Sequence, residues 1–133
     1  EDMCIFCDIV EGKIPSSVIY EDDQVMAFLD ISQVTRGHTL VIPKKHCDSF
    51  LTCDDETLAH LMKTARMLAV RIMEKTGAAG MNVISNIHEA AGQSVPHFHV
   101  HLIPRYGEDD ALQLEFHESA PQDLNALCAL LSE

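Results

Sequence analysis

Histidine and apolar positions alternate in His97-Phe98-His99-Val100-His101-Leu102-Ile103. Side chains leave a strand on alternate faces, so this stretch predicts a strand with Phe98, Val100 and Leu102 on one side and three imidazoles on the other. Shorter apolar runs bounded by turn residues predict four more strands. Val18–Tyr20 and Val25–Asp30 flank the polar turn Glu21-Asp22-Asp23-Gln24. His38–Pro43 follows Gly37, with His38, Leu40 and Ile42 on one face, and Met81–Asn86 precedes a loop over 88–94. Elsewhere the period changes. Leu58, Leu61, Met62, Ala65, Leu68, Ala69 and Ile72 recur at steps of three and four, which predicts a helix from Asp54 to about Lys75. Thr52 or Asp54 can cap its start, and Gly77 suits the position after its end. A helical turn or two is expected within 5–14, ended by Gly12 and Pro15. A short C-terminal helix is expected over Gln122–Ser132, with Leu124, Leu127, Cys128 and Leu131 turned inward. The pattern predicts a single domain over residues 1–133 of α+β class: a five-stranded, mostly antiparallel sheet with one long helix and short terminal helices.

Composition narrows the partners. A chain of 133 residues, 47% of them hydrophobic, can bury one core of its own. Its net charge of −12 argues against a broad nucleic-acid surface, which needs clustered Lys and Arg. A small phosphorylated ligand remains compatible where donors are concentrated locally, so the expected partner is of mononucleotide size rather than a polymer. Five cysteines, an odd number, suit a reducing cytosol better than a disulfide framework. No run approaches the roughly 18–20 apolar residues of a membrane span, and no leader pattern opens the sequence. The expectation is a cytoplasmic protein with no membrane partner.

Same-face neighbours on a strand stand roughly 6.5–7 Å apart, so one ion shared by all three histidines through bonds of about 2 Å is hard to build. Divided labour fits better. A neutral imidazole, with an ordinary pKa of about 6.5, is a competent nucleophile or proton carrier near pH 7. Cys4-Ile5-Phe6-Cys7 is a C-x2-C pair that becomes a metal site given two further ligands. His46 is a candidate third, with Cys47 beside it as an alternative, and one of the three alternating histidines is a candidate fourth. That set would make a closed Cys2His2 zinc site. Cys47, Cys53 and Cys128 read as packing residues, the ligand role being the weaker reading of Cys47. Gln93 and Ser94 stand just ahead of the first histidine. Asp30 ends a strand, where it either accepts hydrogen bonds from a ribose or caps a turn, and Asn86 is either a ligand contact or a turn residue.

The run Gly92-Gln93-Ser94-Val95-Pro96-His97-Phe98-His99-Val100-His101-Leu102-Ile103 resembles the signature of the histidine triad (HIT) nucleotide-binding family. Phe28-Leu29-Asp30-Ile31 and Gly37-His38-Thr39-Leu40-Val41-Ile42-Pro43-Lys44 resemble that family's ribose-binding strand and its neighbour. Cys4-Ile5-Phe6-Cys7 resembles the zinc-bearing bacterial members of its Hint-like branch, and the whole resemblance spans residues 4–106. It implies a HIT-like fold paired as a homodimer. It also implies a hydrolase or transferase that cleaves nucleoside 5′-phosphoramidates, or related phosphate esters and anhydrides, through a nucleotidyl-histidine intermediate. By this resemblance His99 is the nucleophile, and His101 and His38 lie around the phosphate. His97 contributes to the triad and ligates structural zinc with Cys4, Cys7 and His46. Ser94 and Gln93 contact the phosphate or leaving group, Asn86 the phosphate side, and Asp30 the ribose hydroxyls. Ile5, Phe6, Phe28 and Ile31 line the base pocket. The implied partner is a purine nucleotide, an adenosine or guanosine 5′-monophosphate derivative, and the scheme calls for no catalytic magnesium. Two other readings stay open: dinucleoside polyphosphate hydrolysis, since Pro104-Arg105 also resembles the fragile-histidine-triad branch, and a nucleotide-binding scaffold with incidental hydrolysis. Gln33, where the family commonly has proline, and the turn His88-Glu89-Ala90-Ala91 depart from the pattern.

Overall fold

The computed structural model describes residues 4–132. In chain order it holds helix α1 (Ile5–Val10), strands β1 (Val18–Glu21), β2 (Val25–Leu29) and β3 (Thr39–Pro43), helix α2 (Asp55–Thr76), strand β4 (Gly80–Ile84), a 3-10 turn (Glu89–Ala91), strand β5 (Val100–Arg105) and helix α3 (Leu124–Leu131). This is the expected α+β class, with five strands paired antiparallel throughout. The sheet order is β1-β2-β3-β5-β4. Helix α2 accounts for the crossover. Its 22 residues, at about 1.5 Å each, reach roughly 33 Å. That length carries the chain to the far edge, from which β5 returns into the gap between β3 and β4.

Both faces of the sheet are covered, which explains the unbroken apolar run Val25-Met26-Ala27-Phe28 in β2. Val25, Ala27, Val41, Phe98, Val100 and Leu102 cluster with Leu61, Ala65, Leu68 and Ile72 of α2. Met26, Phe28, Leu40 and Ile42 point the other way and pack with Cys4 and Phe6. Full burial of each Leu, Ile or Phe stabilises by about 1.5–3 kcal/mol, so these two clusters hold the site's framework. Helix α2 starts where expected, the Thr57 N–H donating to the Asp54 carboxylate at 3.1 Å. It ends at Gly77, whose φ of 75° lies in the left-handed region that favours glycine.

Two expectations change. Strand β5 begins at Val100 rather than His97, because the preceding backbone bonds elsewhere. The His97 N–H donates to the Val95 carbonyl at 2.8 Å and the Phe98 N–H to the Cys47 carbonyl at 2.7 Å. Face alternation survives this detour: Phe98 joins the α2 side, while the rings of His97 and His99 meet Phe6 on the other. The C-terminal helix, by contrast, does not turn inward. Leu124 and Leu131 are 74% and 78% exposed, Cys128 is exposed and Leu127 only half-buried. An apolar pattern signals burial, and within the described residues the chain supplies none there. No described helix is long and apolar enough to cross a membrane.

Candidate functional site

The site has two ends, and α1 serves both. Cys4 caps this helix, its sulfur accepting the Cys7 N–H at 3.3 Å, so the C-x2-C spacing turns both thiols toward one point. His97 Nδ1 lies 3.3 Å from Cys4 Sγ and 3.6 Å from Cys7 Sγ, and His46 Nδ1 lies 3.4 Å from Cys7 Sγ. In a tetrahedral Cys2His2 centre the sulfur–nitrogen edge is about 3.5 Å, given metal–ligand bonds of about 2.3 and 2.1 Å. The donor set could therefore hold a metal ion. The outer nitrogens are tethered as such ligands require. His97 Nε2–H donates to the Pro43 carbonyl at 2.9 Å, and His46 Nε2 meets the Asp48 carboxylate at 3.1 Å. Burial and the neighbouring Cys4 push the Cys7 thiol up to about 11. A divalent cation reverses that preference, because a coordinating thiol is deprotonated outright.

At the other end, backbone partners fix which nitrogen of each ring carries the proton. His99 Nδ1–H donates to the His97 carbonyl at 2.7 Å, which leaves Nε2 as a lone pair. His38 Nδ1 accepts the Val34 N–H at 3.3 Å. Its proton is therefore on Nε2, which donates to His101 Nδ1 at 3.0 Å. His101 is left with Nε2–H as a donor. Burial lowers the pKa of His38 and His99, and burial with the neighbouring His99 and His38 lowers His101 to about 4. At pH 7 all three rings are neutral. Asp30, His38 and His101 form a second group close enough to share an ion, but the short line between the two rings is already occupied by the His38 proton.

His99 and His101 open onto a cavity of about 750 Å³, within the range of small-ligand sites. Phe6, Phe28, Ile5 and Ile31 line its apolar wall, and Asp30 and Ser94 supply polar edges. A second, polar hollow of about 650 Å³ adjoins it at Ser94 and is bordered by Asp48, His88, Glu89 and Gln93. His88 sits there with φ 71° and ψ 162°, a region nearly reserved for glycine that costs about 1–3 kcal/mol. It is held by Gln93, whose Oε1 accepts the His88 N–H at 2.8 Å.

The sequence candidates thus separate. His99, His101, Ser94, Asp30, Ile5, Phe6, Phe28 and Ile31 share the cavity. His38 stands behind His101, fully engaged. His97 is buried, with both nitrogens committed away from the cavity; its carbonyl, not its ring, reaches the cavity side, where it accepts the His99 Nδ1–H. Gln93 ties the loop together, donating to the Asp48 carbonyl at 2.7 Å and the Val95 carbonyl at 3.0 Å. Asn86 makes a long contact of 3.4 Å to the Gly92 carbonyl and borders neither hollow. One contributor lay outside the sequence reading of the site. The Gln33 amide donates to both the Asp30 and His38 carbonyls at 2.7 Å, and its oxygen accepts the Gly37 N–H at 2.8 Å. It closes the loop that brings Asp30 beside His38. Its only signal in sequence was the departure from proline.

The comparisons agree with this geometry. The family model for the HIT domain matches residues 11–108. Protein hit of Bacillus subtilis (strain 168) is 42% identical over 98% of this chain and 92% of its own length. The crystal structure of a HIT family protein from Bacillus anthracis superposes with a TM-score of 0.93 at 43% identity, covering 98% of this chain and 94% of that one. A HIT-family crystal structure from Bacillus subtilis superposes at 0.92 with 42% identity, over 98% and 96% of the two chains. By matched residues, identity and fold together, this chain belongs to the HIT family.

Proposed function

We propose that the protein hydrolyses nucleoside 5′-phosphoramidates through a nucleotidyl-histidine intermediate on His99. The observation that carries this reading is the pair of opposite tautomers on the cavity wall: a lone pair at His99 Nε2 beside an N–H at His101 Nε2. In the first step His99 Nε2 attacks the α-phosphorus, the bond to the leaving amine breaks, and the amine departs with a proton from solvent. The imidazolium that forms keeps its Nδ1–H on the His97 carbonyl. Charge on the phosphate oxygens is met by the His101 N–H and the Ser94 hydroxyl, donors that need no reorganisation. Water then attacks phosphorus and loses its proton, and the P–N bond to His99 breaks to release the nucleoside monophosphate. Splitting one displacement into two gives each step a better attacking or leaving group. Asp30 holds the ribose and the Phe6–Phe28 wall the base, a purine by the family resemblance.

Electrostatics favours the amine over a polyphosphate leaving group. The adjoining hollow presents Asp48 and Glu89 and no Lys or Arg, so a departing polyphosphate would meet like charge. Relatives support the class. Adenylylsulfatase HINT3 of Arabidopsis thaliana is 34% identical over 80% of this chain, which spans about half of that protein (54%). A histidine triad nucleotide-binding protein of Candida albicans superposes at 0.83 with 33% identity over 96% of this chain. By the same reading zinc occupies the Cys4–Cys7–His46–His97 centre, and the protein works as a cytoplasmic homodimer. Incubation with adenosine 5′-phosphoramidate and with diadenosine polyphosphates tests the proposal. Turnover of the first, slow turnover of the second, and an acid-quenched adduct that His99→Gln abolishes are expected. Polyphosphates turned over faster would move the reading to a dinucleoside polyphosphate hydrolase. Binding without any turnover would leave a scaffold.

A further inference from the structure

We infer that His88 is the acid that hands the leaving nitrogen its proton. This rests on the phosphoramidate reading and deepens it. Cleavage of a P–N bond sends the bonding pair to nitrogen, and an amide anion is far too basic to leave. The nitrogen must be protonated as the bond breaks, and a positioned acid speeds that step.

The rings on the cavity cannot do this. His99 Nε2 is the attacking lone pair, with its one proton held on the His97 carbonyl. His101 is neutral at pH 7, and its Nε2–H serves the phosphate oxygens. His38 spends its proton on His101, and His97 is tethered at both nitrogens. His46, His60 and His117 each face a carboxylate. Of the eight histidines, that leaves His88. Its ring is exposed and has no hydrogen-bond partner among the described residues.

His88 also stands on the leaving-group side. It borders the polar hollow that meets the nucleotide cavity at Ser94. With the nucleoside in the cavity, that hollow is the space that remains for the amine. The other titratable groups on it are Asp48, from the loop after β3 and bound to His46, and Glu89 of the same turn as His88. Ionised carboxylates only accept hydrogen bonds, whereas an imidazole gains and gives up a proton near neutral pH.

The backbone holds this ring in place against strain. Among the described residues His88 is the one non-glycine with positive φ. Three bonds impose it: the N–H donates to Gln93 Oε1 at 2.8 Å, and the carbonyl accepts the Ala91 N–H at 3.0 Å and the Gln93 N–H at 3.1 Å. Glycine would adopt that conformation freely. Strain kept for an exposed side chain beside a reaction site points to what that side chain does. The step balances. As His99 attacks and the P–N bond breaks, the His88 imidazolium passes its N–H proton to the leaving nitrogen. The amine departs neutral, and the ring is recharged from solvent.

Two substrates test this on the full chain: an N-alkyl adenosine 5′-phosphoramidate, and the p-nitrophenyl ester of adenosine 5′-monophosphate, whose nitrophenolate leaves without a proton. His88→Gly should lower kcat about 100-fold on the phosphoramidate and by no more than about threefold on the ester. Its Tm should equal or exceed that of the wild type, because glycine relieves the strain. Imidazole added to the buffer should restore part of the lost phosphoramidate rate. Equal losses on both substrates would make His88 a residue that merely shapes the loop and overturn the acid role, as would a phosphoramidate rate that does not fall. A wild type that leaves the phosphoramidate intact removes instead the reading on which the acid rests.

Discussion

At the thiol end of the site, His46 and His97 turn Nδ1 toward sulfur and tether Nε2 to oxygen. At the cavity end His99 does the reverse, tethering Nδ1 and freeing Nε2. His97 and His99 are two residues apart and face the same side, yet one carbonyl, that of Pro43 or of His97, decides which nitrogen each has to offer. The role of a histidine here is set by what holds its far side rather than by its place in the motif.

The contrast can be broken most severely at the thiols. Metal analysis should find about one ion per chain in the wild type, and Cys4→Ser/Cys7→Ser should abolish it. The double substitution should also lower Tm by roughly 10 °C or more, since loss of several kcal/mol of metal binding shifts Tm by about 2–8 °C per kcal/mol. Chelation of the wild type should reproduce that loss, measured by calorimetry with metal analysis, and leave the variant unmoved.

A middle-sized effect isolates the cavity end. Burial first, then His99 and His38, holds His101 at about 4, below its ordinary 6.5. Between those values the unfolded chain takes up a proton that the folded chain refuses. Stability is therefore complete above pH 6.5 and falls as pH drops toward 4. His101→Gln should flatten that decline in a series of melts. His38 and His99, lowered in the same direction, keep the remainder, and a slope identical to wild type would remove His101 from the account.

The smallest effect sharpens the loop behind both. Gln33→Ala removes three hydrogen bonds of about 0.5–1.5 kcal/mol each, partly replaced by water. It should raise KM for the nucleotide about three- to tenfold with little change in kcat, because it loosens Asp30 while His99 keeps its tether. A fall in kcat at constant KM would place Gln33 with the chemistry instead.

Periodicity and cap chemistry located α2, with Thr52 or Asp54 offered as its cap and Gly77 at its end, and four of the five strands to within two residues at each end. These are local properties, written in the spacing of Leu61, Leu68 and Ile72 or Val25 and Ala27. Long-range bonds were not legible. The Phe98 N–H turned to Cys47 and delayed β5 to Val100; the resemblance named His97 with the sulfurs, but the Pro43 carbonyl that turns its Nδ1 toward them was not in view. The apolar face of α3 was visible, but spacing does not say whether the same chain supplies a surface to cover it. Gln33 stood in view as an oddity, because a clasp between Asp30 and His38 exists only once the loop has closed.

Phe6 gives the two ends one hinge pin. Its ring stands edge-on to His99 at 5.0 Å and to His97 at 5.7 Å, on a helix of 6 residues that begins at the first thiol and continues as a wall of the cavity. A helix so short has no independent hold on its own shape. By the function proposed above, a metal held at Cys4 and Cys7 would steady the wall against which the base lies, so that chelation would be felt in nucleotide affinity as well as in stability.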